Sequence, residues 1–225
     1  GAIVTNTTLA SSYVVVTKDG ADTATVTGSV TTDTAMFVRE GTIEVGDGKT
    51  STTWTIAPKA GGSTMLQVSG KDSHVVVNKA TLQISDERDI VVGGADGNGT
   101  LTLEGGSQAF GYRAAYLIIG SPANHESGDS NATAGSDGRY VGSYTEAANG
   151  SGDVFGKGVV NVTEGSALTV GMSGGLYMYE GELNADGAGT TVTIGTLAST
   201  YAFMGTANNC TSEINVTGGA SMTVN

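Results

Sequence analysis

Residues 160–170 read VNVTEGSALTV and residues 214–224 read INVTGGASMTV, one pattern at an offset of 54 residues. Asn161, Val162, Thr163, Gly165, Thr169 and Val170 return as Asn215, Val216, Thr217, Gly219, Thr223 and Val224. A weaker copy, LTLEGGSQA at 101–109, puts Leu101, Leu103 and Gly106 where the first copy has Val160, Val162 and Gly165. Successive side chains of a strand point to opposite sides, so two apolar residues two apart mark a strand with one buried face. A glycine three residues later permits a tight turn. The unit is strand, turn, strand, and its self-similarity points to a repeat architecture.

Outward from these copies, similar runs recur: TATVTGSV, TIEVGDG, TMLQVSG, HVVVNKATLQI, DIVVGG, LYMYEGEL and TTVTIGTL, punctuated by Gly, Asp, Asn and Ser. The composition agrees, with 36 Gly, 32 Thr and 20 Ser but only 2 Pro and 10 Leu. Helix formers are scarce and β-branched residues abundant. Apolar residues still reach 38%, enough to bury a core. The expectation is a single all-β domain over 1–225, folded as a right-handed parallel β-helix, with a β-sandwich as the alternative. The solenoid is favoured because the runs resemble one another and because Thr and Asn return at equivalent positions, as stacked residues do. At roughly 20 to 25 residues per coil the chain is expected to make about ten coils.

The stretches GADGNGTLTLEGGSQ, VNVTEGSALTVG and INVTGGASMTVN resemble repeats in the passenger regions of bacterial autotransporters and related surface adhesins. The resemblance lies mostly after Gly94, and residues 1–60 share little of it. It implies export, an extracellular or cell-surface location and adhesion. Anchorage to the outer membrane would come only through a part of the protein outside this chain. It carries no motif of functional residues. Because the chain stops at Asn225 directly after the strand SMTVN, the native protein is expected to continue past it.

Ten Lys plus Arg against 22 Asp plus Glu give a formal charge of −12, and the basic residues form no stripe. Nucleic acid and anionic membrane surfaces are therefore poor partners. The single cysteine, Cys210, allows no internal disulfide. Flanked by Asn209 and Thr211, with no acid or base beside it, it reads as a packing residue and not as a nucleophile.

Candidate sites dissolve one at a time. GDGKT at 46–50 lacks the first glycine of a phosphate loop, since Ile43 stands there, and reads as a turn. GGADGNG at 93–99 has Asp96 where a repeat-type calcium loop needs glycine, and also reads as a turn. In SDERDI, Asp86, Glu87, Arg88 and Asp89 alternate sides and cannot converge on one substrate, which leaves a solvated turn. His74 reads as an ordinary strand residue, and His125 has no nucleophile near it. Nothing calls for a cofactor or a metal.

Seven Asn-x-Ser/Thr sequons occur, at Asn6, Asn98, Asn131, Asn149, Asn161, Asn209 and Asn215, and repetition accounts for the pair Asn161 and Asn215. Thr-x-Thr pairs at Thr53/Thr55, Thr100/Thr102 and Thr191/Thr193 suggest a flat ice-binding face, but their sequence spacing looks too irregular for a ladder.

The strand pattern fails over 121–157, a segment longer than one coil. Structureless stretches of that length in compact domains are usually functional or disordered. Arg139, Tyr140, Tyr144 and Phe155 stand out there, since tyrosines with an arginine on a polar loop suit a binding surface. The expected function is a surface-displayed adhesin-like or structural module that presents this excursion to a host or environmental glycan or protein. The alternatives are a polysaccharide-cleaving enzyme and a self-associating structural rod.

Overall fold

The computed structural model describes residues 2–3, 8–9, 16–32, 35–57, 64–85, 89–94, 97–111, 116–120, 156–171, 175–195, 200–204 and 211–225. Among them every regular element is a strand, and every pairing between strands is parallel. A sandwich joined by hairpins needs antiparallel pairs, which these are not.

Numbered in chain order, the strands fall into three ladders. The first runs through β1 (Ala2–Ile3), β4 (Thr23–Val26), the second half of β6 (Met36–Val45), the second half of β8 (Thr64–Asn78), β11 (Gly99–Glu104), β14 (Gly158–Thr163), β17 (Gly181–Asp186) and β20 (Ser212–Thr217). The second runs through β2 (Thr8–Leu9), β5 (Ser29–Thr32), β7 (Thr52–Ile56), β9 (Ala80–Ile84), β12 (Gln108–Gly111), β15 (Ala167–Val170), β18 (Thr191–Ile194) and β21 (Ser221–Val224). The third runs through β3 (Val16–Lys18), the first halves of β6 and β8, β10 (Asp89–Val92), β13 (Leu117–Ile119), β16 (Gly175–Met178) and β19 (Tyr201–Met204). Because β6 and β8 pass from the third ladder into the first without a break, these two ladders form one 13-stranded sheet beside the 8-stranded second. The chain visits first, second and third in strict rotation.

Most strands of the first and second ladders alternate buried with half-buried or exposed residues, those of the third are buried on both sides, and the inward residues stack in columns. Ile43, Val75, Leu101, Val160 and Leu183 pair in register down the first ladder. Val30, Trp54, Leu82, Ala109, Leu168 and Val192 do so down the second, and Leu66, Ile90, Leu117 and Leu176 down the third. All belong to one apolar core. Each fully buried Val, Leu or Ile contributes about 1.5–3 kcal/mol, so a column is a large share of net stability.

Two corners explain much of the glycine. Between the third and first ladders, successive backbones nearly touch: a Cβ on Gly158 would lie 2.0 Å from the Val92 carbonyl oxygen, and one on Gly181 2.0 Å from that of Gly158. Between the first and second ladders, Glu164 and Gly165 take φ of 55° and 74°, as do Gly105 and Gly106 at 67° and 77°. Just after that turn a hydroxyl column is buried: Ser107 Oγ donates to the Val77 and Glu104 carbonyls, Ser166 Oγ accepts from the Ser107 amide, and Thr190 Oγ1 accepts from the Gly165 amide.

The expected count of about ten coils is corrected to a ladder of eight strands, because rounds are longer than expected. Down the second ladder, paired residues are separated by 23 to 30 positions, except for Ala109 and Leu168, which are 59 apart. Eight rungs spaced at about 4.8 Å span about 34 Å. The 54-residue repeat also covers two rungs, since β17 sits between β14 and β20.

Candidate functional site

Arg139, Tyr140, Tyr144 and Phe155 lie outside the described residues, as do His125, Cys210, Asp86, Glu87 and Arg88. Asp89 is described and corrects the reading of SDERDI as wholly solvated. It is 4% exposed, and its Oδ1 accepts the Tyr116 amide, so burial of this carboxylate is offset by a backbone donor. The structure does describe the outward side of each ladder, and the three differ in chemistry.

The outside of the first ladder is mostly polar and charged, and on its later rungs several of these groups bond to one another. Asn161, Asn184 and Asn215 stand in one column. Asn184 Nδ2 donates to Asn161 Oδ1 at 3.0 Å and Asn215 Nδ2 to Asn184 Oδ1 at 2.9 Å. The two repeat sequons are thus explained by an asparagine ladder whose amides are already engaged. Beside it the Lys157 ammonium pairs with the Glu182 carboxylate. That bond, reinforced by the Asn184 amide, holds the Glu182 carboxyl below its ordinary value, and the same partner raises Lys157. Thr217 Oγ1 donates to Asp186. His74 faces outward between Thr42 and Thr100, half-buried, as a strand residue.

The outside of the third ladder is apolar. Phe37, Gln67, Val91, Ile118 and Tyr177 form one column, and all but the half-buried Tyr177 are buried. Tyr116 meets Tyr177 edge-on with ring centroids 5.2 Å apart. This face is already covered.

The outside of the second ladder is different again. One column reads Ser29, Thr53, Thr81, Gln108, Ala167, Thr191, Ser221; its neighbour reads Thr31, Thr55, Gln83, Phe110, Thr169, Thr193, Thr223. All are half-buried or exposed, and none is charged, in a chain of net charge −12. Among the described residues, no side chain of these columns makes a hydrogen bond within the protein. Thr53/Thr55 and Thr191/Thr193 stand in the same two columns, but Thr81/Gln83, Gln108/Phe110 and Ala167/Thr169 lie between them, so the pairs form no continuous threonine ladder. Thr100/Thr102 belong to the first ladder instead.

The motif readings fare as follows. GDGKT is a turn, in which Asp47 accepts the Lys49 and Thr50 amides and the Thr50 hydroxyl. The backbone bond from Thr50, then that from Lys49, lowers the Asp47 carboxyl pKa. Within GGADGNG, Gly94 and Gly97 exchange backbone hydrogen bonds, closing a tight turn. Among the described residues, no three of His, Cys, Asp and Glu are placed to hold a metal ion. Among the described residues, no helix is long and apolar enough to cross a membrane. No protein family, curated protein or solved structure matches this chain.

Proposed function

We propose that the chain is a segment of a right-handed parallel β-helix displayed outside a bacterial cell, an adhesin-like module that holds recognition surfaces away from the envelope. The observation that carries the architecture is the strict rotation of the chain through three wholly parallel ladders. A parallel pair cannot be closed by a hairpin and needs a crossover, which is right-handed in nearly all known cases. The likeness of the repeats to autotransporter passengers supplies the cellular setting, with the membrane anchor in a part of the protein outside this chain.

Contact with the partner, a glycan or a protein, is assigned to the 121–157 excursion and its Arg139, Tyr140, Tyr144 and Phe155. The flanks support this assignment. A Cβ on Gly158 would lie 2.8 Å from the Gly120 amide, so the two ends of the excursion meet at one corner of the stack. On the next rung, between β16 and β17, Tyr179 and Glu180 alone cross that corner, and between β10 and β11 six residues do. A segment of that length, inserted where two residues suffice, is free to serve recognition.

The test is deletion of 123–153 in a protein coated on beads. The β signal in circular dichroism is expected to persist, and adhesion of the beads to host-cell or biofilm surfaces to be lost. Undiminished adhesion by the deletion variant would overturn the assignment.

A further inference from the structure

We propose that the outward face of the second ladder binds a neutral polysaccharide, laid along the stack with Phe110 as its central stacking platform. This site is separate from the excursion, and its test can fail or succeed independently.

Four observations combine. The face lacks charge although the chain carries −12, so it repels anionic glycans least where it would have to touch them, yet has nothing with which to attract them. A neutral partner fits, and a charged one does not. The hydrogen-bonding groups are unspent within the protein, whereas outside the first ladder Asn161, Asn184, Asn215, Asp186 and Thr217 are tied to one another. Gln83 precedes Phe110 in its column and Thr169 follows it, while Gln108 stands two residues away on the same strand. Each glutamine offers two donors and an acceptor, and each threonine a hydroxyl, the complement of a sugar's own hydroxyls.

The third observation is Phe110 itself. It is the one aromatic residue in either column, and it stays half-buried on a face whose other members are small or amide-bearing. An aromatic ring offers a large rigid contact at low ordering cost, and its π-face suits the C–H face of a pyranose. The fourth is periodicity. Rungs repeat at about 4.8 Å and the two columns stand about 6.7 Å apart, so donors recur along the stack as hydroxyls recur along an extended glycan.

Two other occupants fit less well. Seven rungs four residues wide present about 400 Å², about half of what each partner contributes to a stable protein interface. A second copy of this chain therefore finds too little surface. An ice lattice needs an unbroken flat array, and Phe110 with Gln83 and Gln108 interrupts the hydroxyls at mid-face.

The full chain is run in native affinity gels containing hydroxyethyl cellulose, xyloglucan or galactomannan, with alginate as the charged control. Retardation by at least one neutral polymer is expected, with the same apparent Kd at low and high salt because no ion pair is involved. Phe110→Ala is expected to weaken it at least tenfold. Thr193→Lys, at a half-buried surface position, provides a second variant and is expected to weaken it severalfold. Unchanged emission from Trp54, the chain's one tryptophan, checks that the core of both variants is intact. The proposal is overturned by retardation in alginate alone, by no retardation in any neutral polymer, or by undiminished binding in both variants. Concentration-dependent dimers abolished by Thr193→Lys, or inhibition of ice recrystallisation lost with Thr193→Lys, would overturn it in favour of those occupants. Loss of cell adhesion on deleting 123–153, with gel retardation intact, would show two separate sites.

Discussion

Asn184 shows how much a single position can carry on the outside of the first ladder. Its amide donates to Asn161 and its carbonyl accepts from Asn215, so it joins three rungs at once. Asn184→Ala leaves two half-buried partners short of a bond, at a cost of about 1–2 kcal/mol. The expected outcome is a lower urea midpoint at unchanged m-value, followed by Trp54 fluorescence. Gly181 is less forgiving, since its φ is +152° and an added Cβ would meet the Gly158 carbonyl oxygen at 2.0 Å. That oxygen is backbone and cannot swing aside. Gly181→Ala should therefore destabilise by more than Asn184→Ala, by about 3 kcal/mol or more, or fail to fold; equal urea midpoints for the two variants would refute this. The Glu182 carboxyl is depressed from its ordinary 4.5 by Lys157, so the pair's contribution is present above that value and fades as pH falls through the lower folded pKa. At the alkaline end it fades as pH rises through the folded pKa of Lys157, above its ordinary 10.5. The difference in midpoint between wild type and Lys157→Met should accordingly close below pH 4.5 and in high salt, and remain small throughout for so exposed a pair. A difference that persists at pH 2 would contradict the assignment.

At the scale of the element, the strands were legible wherever apolar residues alternate. HVVVNKATLQI is the end of β8, the Asn78–Lys79 corner and β9, and the glycines placed at turns from the repeat do have positive φ. Ladder membership was not legible. Register is decided by which strand lies above, and strands in register here are 23 to 59 positions apart in the second ladder. The middle copy of the repeat, GELNADGAGTTVTI, was not legible because Ala185 stands where its neighbours have Val162 and Val216, and Asp186 where they have Thr163 and Thr217. Leu183, Asn184 and Thr193 keep the signature. For the same reason the neutral face could not be read from the sequence: its two columns draw on seven separated segments and assemble only once the strands pair. The pattern breaks over 121–157, and most of that segment, with Arg139, Tyr140, Tyr144 and Phe155, lies outside the described residues. His74 and Asp47, which look chemical in one dimension, are a strand residue and a turn residue.

At the scale of the whole molecule, the β-helix proposed above would have each rung touch only its neighbours, so that stability is a sum of rung and interface contributions and need not be uniform along the stack. Met204, Val216 and Val224 are 44%, 42% and 46% exposed, while Met178, Val162 and Val170, their equivalents deeper in the stack, are fully buried. Hydrogen exchange is therefore expected to be fastest in β19, β20 and β21 and slowest in β8, β9 and β11. Uniform protection along the stack would mean that unfolding is all-or-none despite the linear architecture.

The unequal rounds have a mechanical consequence. The bonds between rungs lie along the axis of the stack, so tension applied to the two chain ends opens rungs in sequence from an end and does not shear them together. Each detached round lengthens the molecule by its own contour, and the rounds are not alike. Twenty-three residues between Thr8 and Thr31 release about 80 Å. The 59 between Ala109 and Leu168 release about 200 Å. A pulling trace should show several steps of similar size and one more than twice as long, a fingerprint of where along the tether the force has reached. Under the adhesin reading proposed above, that round would be a reserve of slack in the middle of the stack, released only after the rungs on one side have gone.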